Sequence, residues 1–315
     1  MRHDVTLYVH GYEIPAALEI PEGKRVGAVL LIPGSLFSNV DGDFPTWNMF
    51  TRVYAYLAEQ MAERGLIVYR FAKIGPGTGT VETADAKPEL IRNWAGRARI
   101  AHEALAHFRR ELRMRGITAP RMVLAGHSEG AVVASVIAAE GADVDGVVLL
   151  SGPSIGILGI MIEQARAMIP PGATDESVRL LEEIVAHIRT SGIIPAELKA
   201  KAGTGFGAGA LATMPPHAIE YMRDCDATDP VEAISGYAKP VLIVQGGIDA
   251  SVPAHHAERL RDSRGVRPTT YEFFAGLQHM YKPVPAGVSA MESFGLTGPT
   301  DPRVAETVAD WVVKL

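Results

Sequence analysis

A serine framed by glycines, Gly126-His127-Ser128-Glu129-Gly130, lies between a short apolar run (Arg121-Met122-Val123-Leu124-Ala125) and a helix-forming one over 131–139. In a G-x-S-x-G sequence at a strand-to-helix junction, the serine occupies a tight, strained turn that lifts its hydroxyl out at the sheet's edge. The flanking glycines belong there because such a turn brings neighbouring backbones too close for a Cβ. The five letters alone also describe an ordinary glycine-rich turn. The strand before them and the helix after them turn the pattern into a nucleophile-bearing elbow.

The rest of the chain repeats that strand-then-helix rhythm. Residues 4–20 alternate as two strands turning at His10-Gly11, and Val26 to Ile32 is a continuous apolar run, as a strand buried on both faces requires. Helical spacing follows over 48–64 (Phe50, Val53, Tyr54, Leu57, Met61), ending at Gly65, and then a strand from Leu66 to Phe71. A long helix is expected over 88–115, opened by Pro88, closed by Gly116 and carrying an Arg-rich exposed side. Further strands are expected at 121–125, 144–150, 241–244 and 269–274, with a last helix over 302–313. Alternation of apolar strands with helices predicts an α/β fold: a mostly parallel sheet of about eight strands flanked by helices on both faces.

Residues 152–235 break the rhythm. They carry no convincing strand but do carry amphipathic helix signals at 157–169, 175–190 and near 216–223, around a glycine-rich stretch at 203–210. The expected organisation is a core domain built from 1–151 and 236–315, with 152–235 inserted after the sixth strand as a helical lid. Its Ile, Met, Leu and Ala content favours an apolar acyl or alkyl group, although an apolar helix face is more often simply core.

A serine is a poor nucleophile at its own pKa, so a base must take its proton and a third group must orient that base. In an open α/β sheet such partners sit just past the carboxyl ends of later strands. Asp249 follows the 241–244 strand, and His279 lies in the loop after the 269–274 strand. The order Ser128, Asp249, His279 and the spacing between the last two suit one strand–helix–strand step. A tetrahedral intermediate also needs hydrogen-bond donors. The backbone N–H of Glu129 and that of Ser35, in the loop Pro33-Gly34-Ser35-Leu36-Phe37, are the candidates, with Leu36 next in line; Leu36 and His127 are the candidate substrate contacts.

Other chemistries lack support. The chain has 315 residues, is 47% hydrophobic and 21% charged, and carries a formal net charge of −6, which gives no electrostatic case for nucleic acid or an anionic membrane. There is no membrane-length apolar run or amino-terminal export signal, so a cytoplasmic location is expected. The single cysteine, Cys225, sits among Arg223, Asp224 and Asp226 and reads as unreactive. The histidines show no metal-ligand spacing, and Gly75-Pro76-Gly77-Thr78-Gly79-Thr80 lacks the Gly-Lys-Ser/Thr ending of a phosphate loop. No metal, cofactor or nucleotide is expected. The oligomeric state, a homodimer included, is left open.

With these residues in place, the sequence resembles the α/β-hydrolase superfamily. More narrowly, it is similar to bacterial serine esterases related to acylaminoacyl-peptidase and prolyl-oligopeptidase hydrolase domains. The likeness lies in Leu31-Ile32-Pro33-Gly34-Ser35, the Asp41-Gly42-Asp43 stretch, Ala62 to Gly65, the elbow, and Gln245 to Pro253. It departs from them at Ala72-Lys73-Ile74-Gly75-Pro76-Gly77, where relatives carry Asp-x-Arg-Gly, and in the Pro- and Gly-rich tail 283–300. The resemblance implies an α/β-hydrolase fold and a carboxylic-ester hydrolase with Ser128 as nucleophile, His279 as base and Asp249 as acid. The expected substrate is a small, partly apolar ester; an amide cleaved by a related peptidase, or a thioester or acyl transfer, are the alternatives.

Overall fold

The computed structural model describes residues 1–169, 175–204 and 207–315. Its backbone runs β1 (Arg2–Val9), β2 (Tyr12–Glu19), β3 (Gly27–Ile32), α1 (Val53–Glu63), β4 (Leu66–Phe71), β5 (Val81–Glu82), α2 (Pro88–Ile91), α3 (Trp94–Met114), β6 (Met122–His127), α4 (Glu129–Ala139) and β7 (Gly146–Leu150). Among the described residues six helices follow: α5 (Ile157–Ala167), α6 (Glu176–Ser191), α7 (Ala196–Ala202), α8 (Ala208–Thr213), α9 (Pro216–Asp226) and α10 (Pro230–Ser235). The chain then returns to the sheet through β8 (Val241–Gly246), α11 (Ala254–Ser263), β9 (Thr269–Phe274), α12 (Ala290–Phe294) and α13 (Pro302–Lys314).

The sheet order is β1-β2-β4-β3-β6-β7-β8-β9, with β5 paired to β2. From β4 to β9 every neighbouring pair is parallel; the pairings of β2 with β1, β4 and β5 are antiparallel. The apolar runs of the sequence follow from this. In β3, Ala28, Leu30 and Ile32 join the core on one face while Val29 and Leu31 join the other, so neither face tolerates a polar residue. Helices α3, α4 and α11 cover the first face, and α1 and α13 the second. The stripe of α13 (Val304, Ala305, Val308, Ala309, Trp311, Val312) is wholly buried, and Gly146 makes room for Trp311: a Cβ there would lie 2.6 Å from its ring.

Several elements depart from the sequence reading. Among the described residues the sheet has nine strands, in keeping with the expected number of about eight; the addition is the exposed two-residue β5, which offers no apolar run to detect. The 152–235 segment therefore follows the seventh strand, not the sixth. The helix expected over 88–115 is broken at Arg92-Asn93, where the Asn93 side chain accepts from the N–H of Gly96 and caps a new start. Phe50 lies outside α1 and is exposed, since α1 begins only at Val53.

Helices α5 to α9 pack around a hydrophobic cluster of their own, including Leu158, Leu181, Ile184, Ile188, Leu211 and Ile219, separate from the two cores flanking the sheet. Part of the glycine-rich stretch, residues 205 and 206, lies outside the described residues. Among the described residues, no helix is long and apolar enough to cross a membrane.

Candidate active site

Strand β3 leads to β4 on one side of the sheet, while β6 lies on its other side. The loops leaving the carboxyl ends of β3 and β6 therefore face each other where the strand order reverses, the crevice in which open α/β sheets bind ligands. The β6 loop is the elbow. Ser128 sits at φ 56°, ψ −125° between the last residue of β6 and the first of α4. A non-glycine residue held in such a sparsely populated region costs about 1–3 kcal/mol, and here the surroundings enforce it. A Cβ on Gly126 would lie 2.1 Å from the Gly130 carbonyl oxygen, and one on Gly130 would lie 2.3 Å from the Ile32 carbonyl oxygen. Both glycines are thus required by close backbone approach. On the β3 side, a Cβ on Gly34 would lie 3.2 Å from the Ser128 Cβ, so that loop abuts the serine.

Asp249 and His279 come together from the loops after β8 and β9. These strands are paired through Gly246↔Phe274, so their exits are adjacent, and a Cβ on Gly246 would lie 2.5 Å from the Leu277 carbonyl oxygen. His279 Nδ1 lies 2.8 Å from Asp249 Oδ2, and Asp249 Oδ1 accepts from the N–H groups of Ser251 (2.9 Å) and Val252 (2.8 Å). Burial alone would raise the Asp249 pKa. The His279 charge, its hydrogen bond and the Val252 N–H outweigh that and hold it below the usual carboxylate range. A carboxylate only accepts, so the proton sits on Nδ1 and Nε2 is left to take another. The Ser128 hydroxyl makes no hydrogen bond to another described residue. His279 is nonetheless tied to the residue beside it, because the His127 ring donates from Nε2 to the His279 carbonyl (2.9 Å).

Both ring nitrogens of His127 are engaged within the protein. With Nε2 donating, Nδ1 must accept, and it takes the hydroxyl hydrogen of Tyr54 (3.2 Å), whose oxygen accepts the Gly34 N–H (2.9 Å). Burial, with the His279 ring nearby, pushes its pKa down to about 3, so it stays neutral. This chain consumes the Gly34 N–H. The N–H groups of Ser35 and Leu36 donate to no described residue, and that of Glu129, the first residue of α4, has no intrahelical acceptor.

Behind the loop lies a buried ionic cluster that the sequence reading did not anticipate. Glu129 Oε1 accepts from Lys73 Nζ (3.1 Å), Arg97 Nε (3.1 Å) and the Tyr221 hydroxyl of α9 (3.0 Å), while its Oε2 is buried without a partner among the described residues. Lys73 also donates to the carbonyls of Gly34 (3.3 Å) and Ser35, and Arg97 Nη2 to those of Pro33 (2.7 Å) and Gly34 (3.4 Å). Burial would raise the Glu129 pKa, but the two cations hold it below the ordinary range. Burial depresses Lys73 to about 8, against the pull of Glu129. Arg97 therefore does not belong to the exposed side of its helix. It sits on the inner stripe with Ile100, Ala101 and Ala104, and a cation at that spacing was the legible sign. Cys225 is buried nearby, with burial and Glu129 raising its thiol pKa.

A cavity of about 650 Å³ adjoins this cluster. Its walls are the β3 loop (Ser35, Leu36, Phe37), the β4 loop (Lys73, Ile74), α3 (Arg97, Ile100) and the helical segment (Met214, His217, Tyr221, Met222). Leu36 thus lines it; His127, Ser128, Asp249 and His279 do not. Elsewhere, Glu163, His255 and His256 could bring ligating atoms together. His256 Nδ1, however, accepts the Ser154 N–H (3.2 Å), which leaves the proton on Nε2, donating to Glu163 at 2.8 Å, where an ion would have to bind.

Residues 29–286 match the model of the alpha/beta hydrolase family. The chain belongs to that family. No curated protein sequence is significantly similar to this alpha/beta hydrolase. Among solved structures it is similar to a proline iminopeptidase from Mycobacterium smegmatis (16% identity, 99% of this chain and 98% of that one, TM-score 0.57). It is also similar to Est1E from Butyrivibrio proteoclasticus (17%, 99% and 96%, 0.54) and to an esterase domain from Rhodothermus marinus (15%, 100% and 98%, 0.55). At these identities the likeness carries the fold, and the chemistry of this alpha/beta hydrolase has to be read from its own residues.

Proposed function

We propose that this protein is a serine esterase that cleaves carboxylic esters through an acyl-enzyme on Ser128. The observation that carries the reading is the buried 2.8 Å Asp249–His279 hydrogen bond, which leaves Nε2 as the available base on a residue tied to the nucleophile's neighbour. Ser128 attacks the ester carbonyl and its proton passes to His279 Nε2, while Asp249 stabilises the imidazolium. The oxyanion accepts from the N–H groups of Glu129 and Ser35, with Leu36 beside them. His279 then returns the proton to the departing alcohol. It next takes one from water, which attacks the acyl-enzyme and regenerates Ser128. The elbow's strain supports this assignment, since backbone strain of this size concentrates at functional sites.

The cavity supports a partly apolar substrate. It begins at Ser35 and Leu36, next to the glycine that abuts Ser128, and continues between Phe37, Ile74, Ile100 and Met214. On this reading 152–235 is a lid on the core formed by 1–151 and 236–315; the separate hydrophobic cluster of α5 to α9 supports that division.

The test is turnover of p-nitrophenyl esters of graded acyl length and labelling by a fluorophosphonate. Both are expected for the wild type and absent for Ser128→Ala, a loss on the order of 10⁶ in kcat. Wild-type protein that neither labels nor hydrolyses any ester ends the proposal. Faster cleavage of matched aminoacyl anilides than of esters redirects it to a peptidase.

A further inference from the structure

We infer that Lys73 is a positioning residue of this site: its ammonium, seated on the carbonyls of the β3 loop, aims and polarises two N–H groups of that loop, that of Ser35, which receives the oxyanion together with Glu129, and that of Leu36 beside it. The inference rests on the serine chemistry proposed above.

A planar peptide unit joins the C=O of one residue to the N–H of the next. The Gly34 carbonyl therefore shares a unit with the Ser35 N–H, and the Ser35 carbonyl with the Leu36 N–H. Lys73 Nζ donates to both carbonyls, while neither N–H donates to a described residue. Both donors thus stand at the open ends of units whose other ends are gripped by a buried cation. A hydrogen bond at one end of such a unit strengthens donation at the other, and low dielectric magnifies the effect. Arg97 assists by holding the Pro33 and Gly34 carbonyls.

The charge count points the same way. Two buried cations face one carboxylate, Glu129, so an excess positive charge remains behind the loop where negative charge develops in the transition state. The groups facing Lys73 are Glu129 of α4, Arg97 of α3, and Tyr221 and Cys225 of α9. Glu129 favours the charged form, whereas burial and Arg97 oppose it, and the balance puts Lys73 near 8. Lys73 is protonated below that pH and loses its charge above it, so activity is expected to fall on the alkaline side.

The experiment compares wild type, Lys73→Arg and Lys73→Met from pH 6.5 to about 10 on p-nitrophenyl butyrate, with the spontaneous rate subtracted. Removing an oxyanion donor outright costs about 10²–10³ in kcat, so losing its polarising partner is expected to cost about 10–30-fold in Lys73→Met, with KM changed less than about threefold. Wild-type kcat is expected to decline above about pH 8, and Lys73→Arg, charged throughout, to lack that decline. A flat wild-type profile overturns the inference. So does a decline that persists in Lys73→Arg, or an unchanged kcat in folded Lys73→Met. Should Lys73→Met not fold, the Lys73→Arg profile decides alone. Fluorophosphonate labelling of the wild type separates the two levels: with labelling intact, a negative result removes the role of Lys73 and leaves Ser128 in place.

Discussion

The two sides of Ser128 are held by different physics. On the His279 side a single carboxylate–imidazole pair is anchored by neutral donors: Asp249 accepts two backbone N–H groups, and the His279 carbonyl accepts from a neutral His127. On the β3-loop side, two cations are buried with the carboxylate that accepts from both, and the cations donate to three successive carbonyls. The difference tracks what each side does in the proposed reaction. A proton relay needs a fixed tautomer and an orientation, which dipoles supply cheaply. An oxyanion site gains from a standing positive field, and that field requires ions whose desolvation has to be offset by close pairing.

Substitutions can break this contrast in order of severity. Asp249→Asn keeps the shape but fixes the wrong His279 tautomer, and kcat is expected to fall by about 10⁴ with little change in melting temperature. A loss under tenfold would remove Asp249 from the relay. Glu129→Gln should act chiefly on folding. It leaves two buried cations uncompensated and is expected to cost about 3–5 kcal/mol in urea unfolding, against little on the opposite side. Equal stability in Glu129→Gln and wild type would mean that the cluster is not a buried ion group in solution. Tyr54→Phe removes the hydroxyl bridging Gly34 to His127, a neutral chain linking both sides, at about 1–3 kcal/mol for the two groups left unpaired. An additive cost on combining it with Glu129→Gln would show the sides to be energetically independent; a deficit would show them coupled.

The same asymmetry governs what could be read from the sequence. Strands buried on both faces announce themselves as apolar runs, so β3, β4, β6, β7 and β8 were legible, whereas the exposed β5 was not. Asp249 and His279 were legible as candidates because strand order and chain order restrict where relay partners can sit. The ionic cluster was hidden because its members come from a loop, a long helix, the elbow and α9, with no spacing rule linking them. Lys73 was noticed as a departure from a pattern without its partners being apparent. The Tyr54 bond to His127 spans 73 residues of chain, so no local spacing around the elbow could show it.

The lone thiol of Cys225 lies on the inward face of α9, three residues beyond Met222 on the same buried stripe, and only 4% of its surface is accessible. A disulfide reagent is therefore expected to react slowly with this sulfur in the folded protein, and a faster reaction in a variant would report loosened packing of α9.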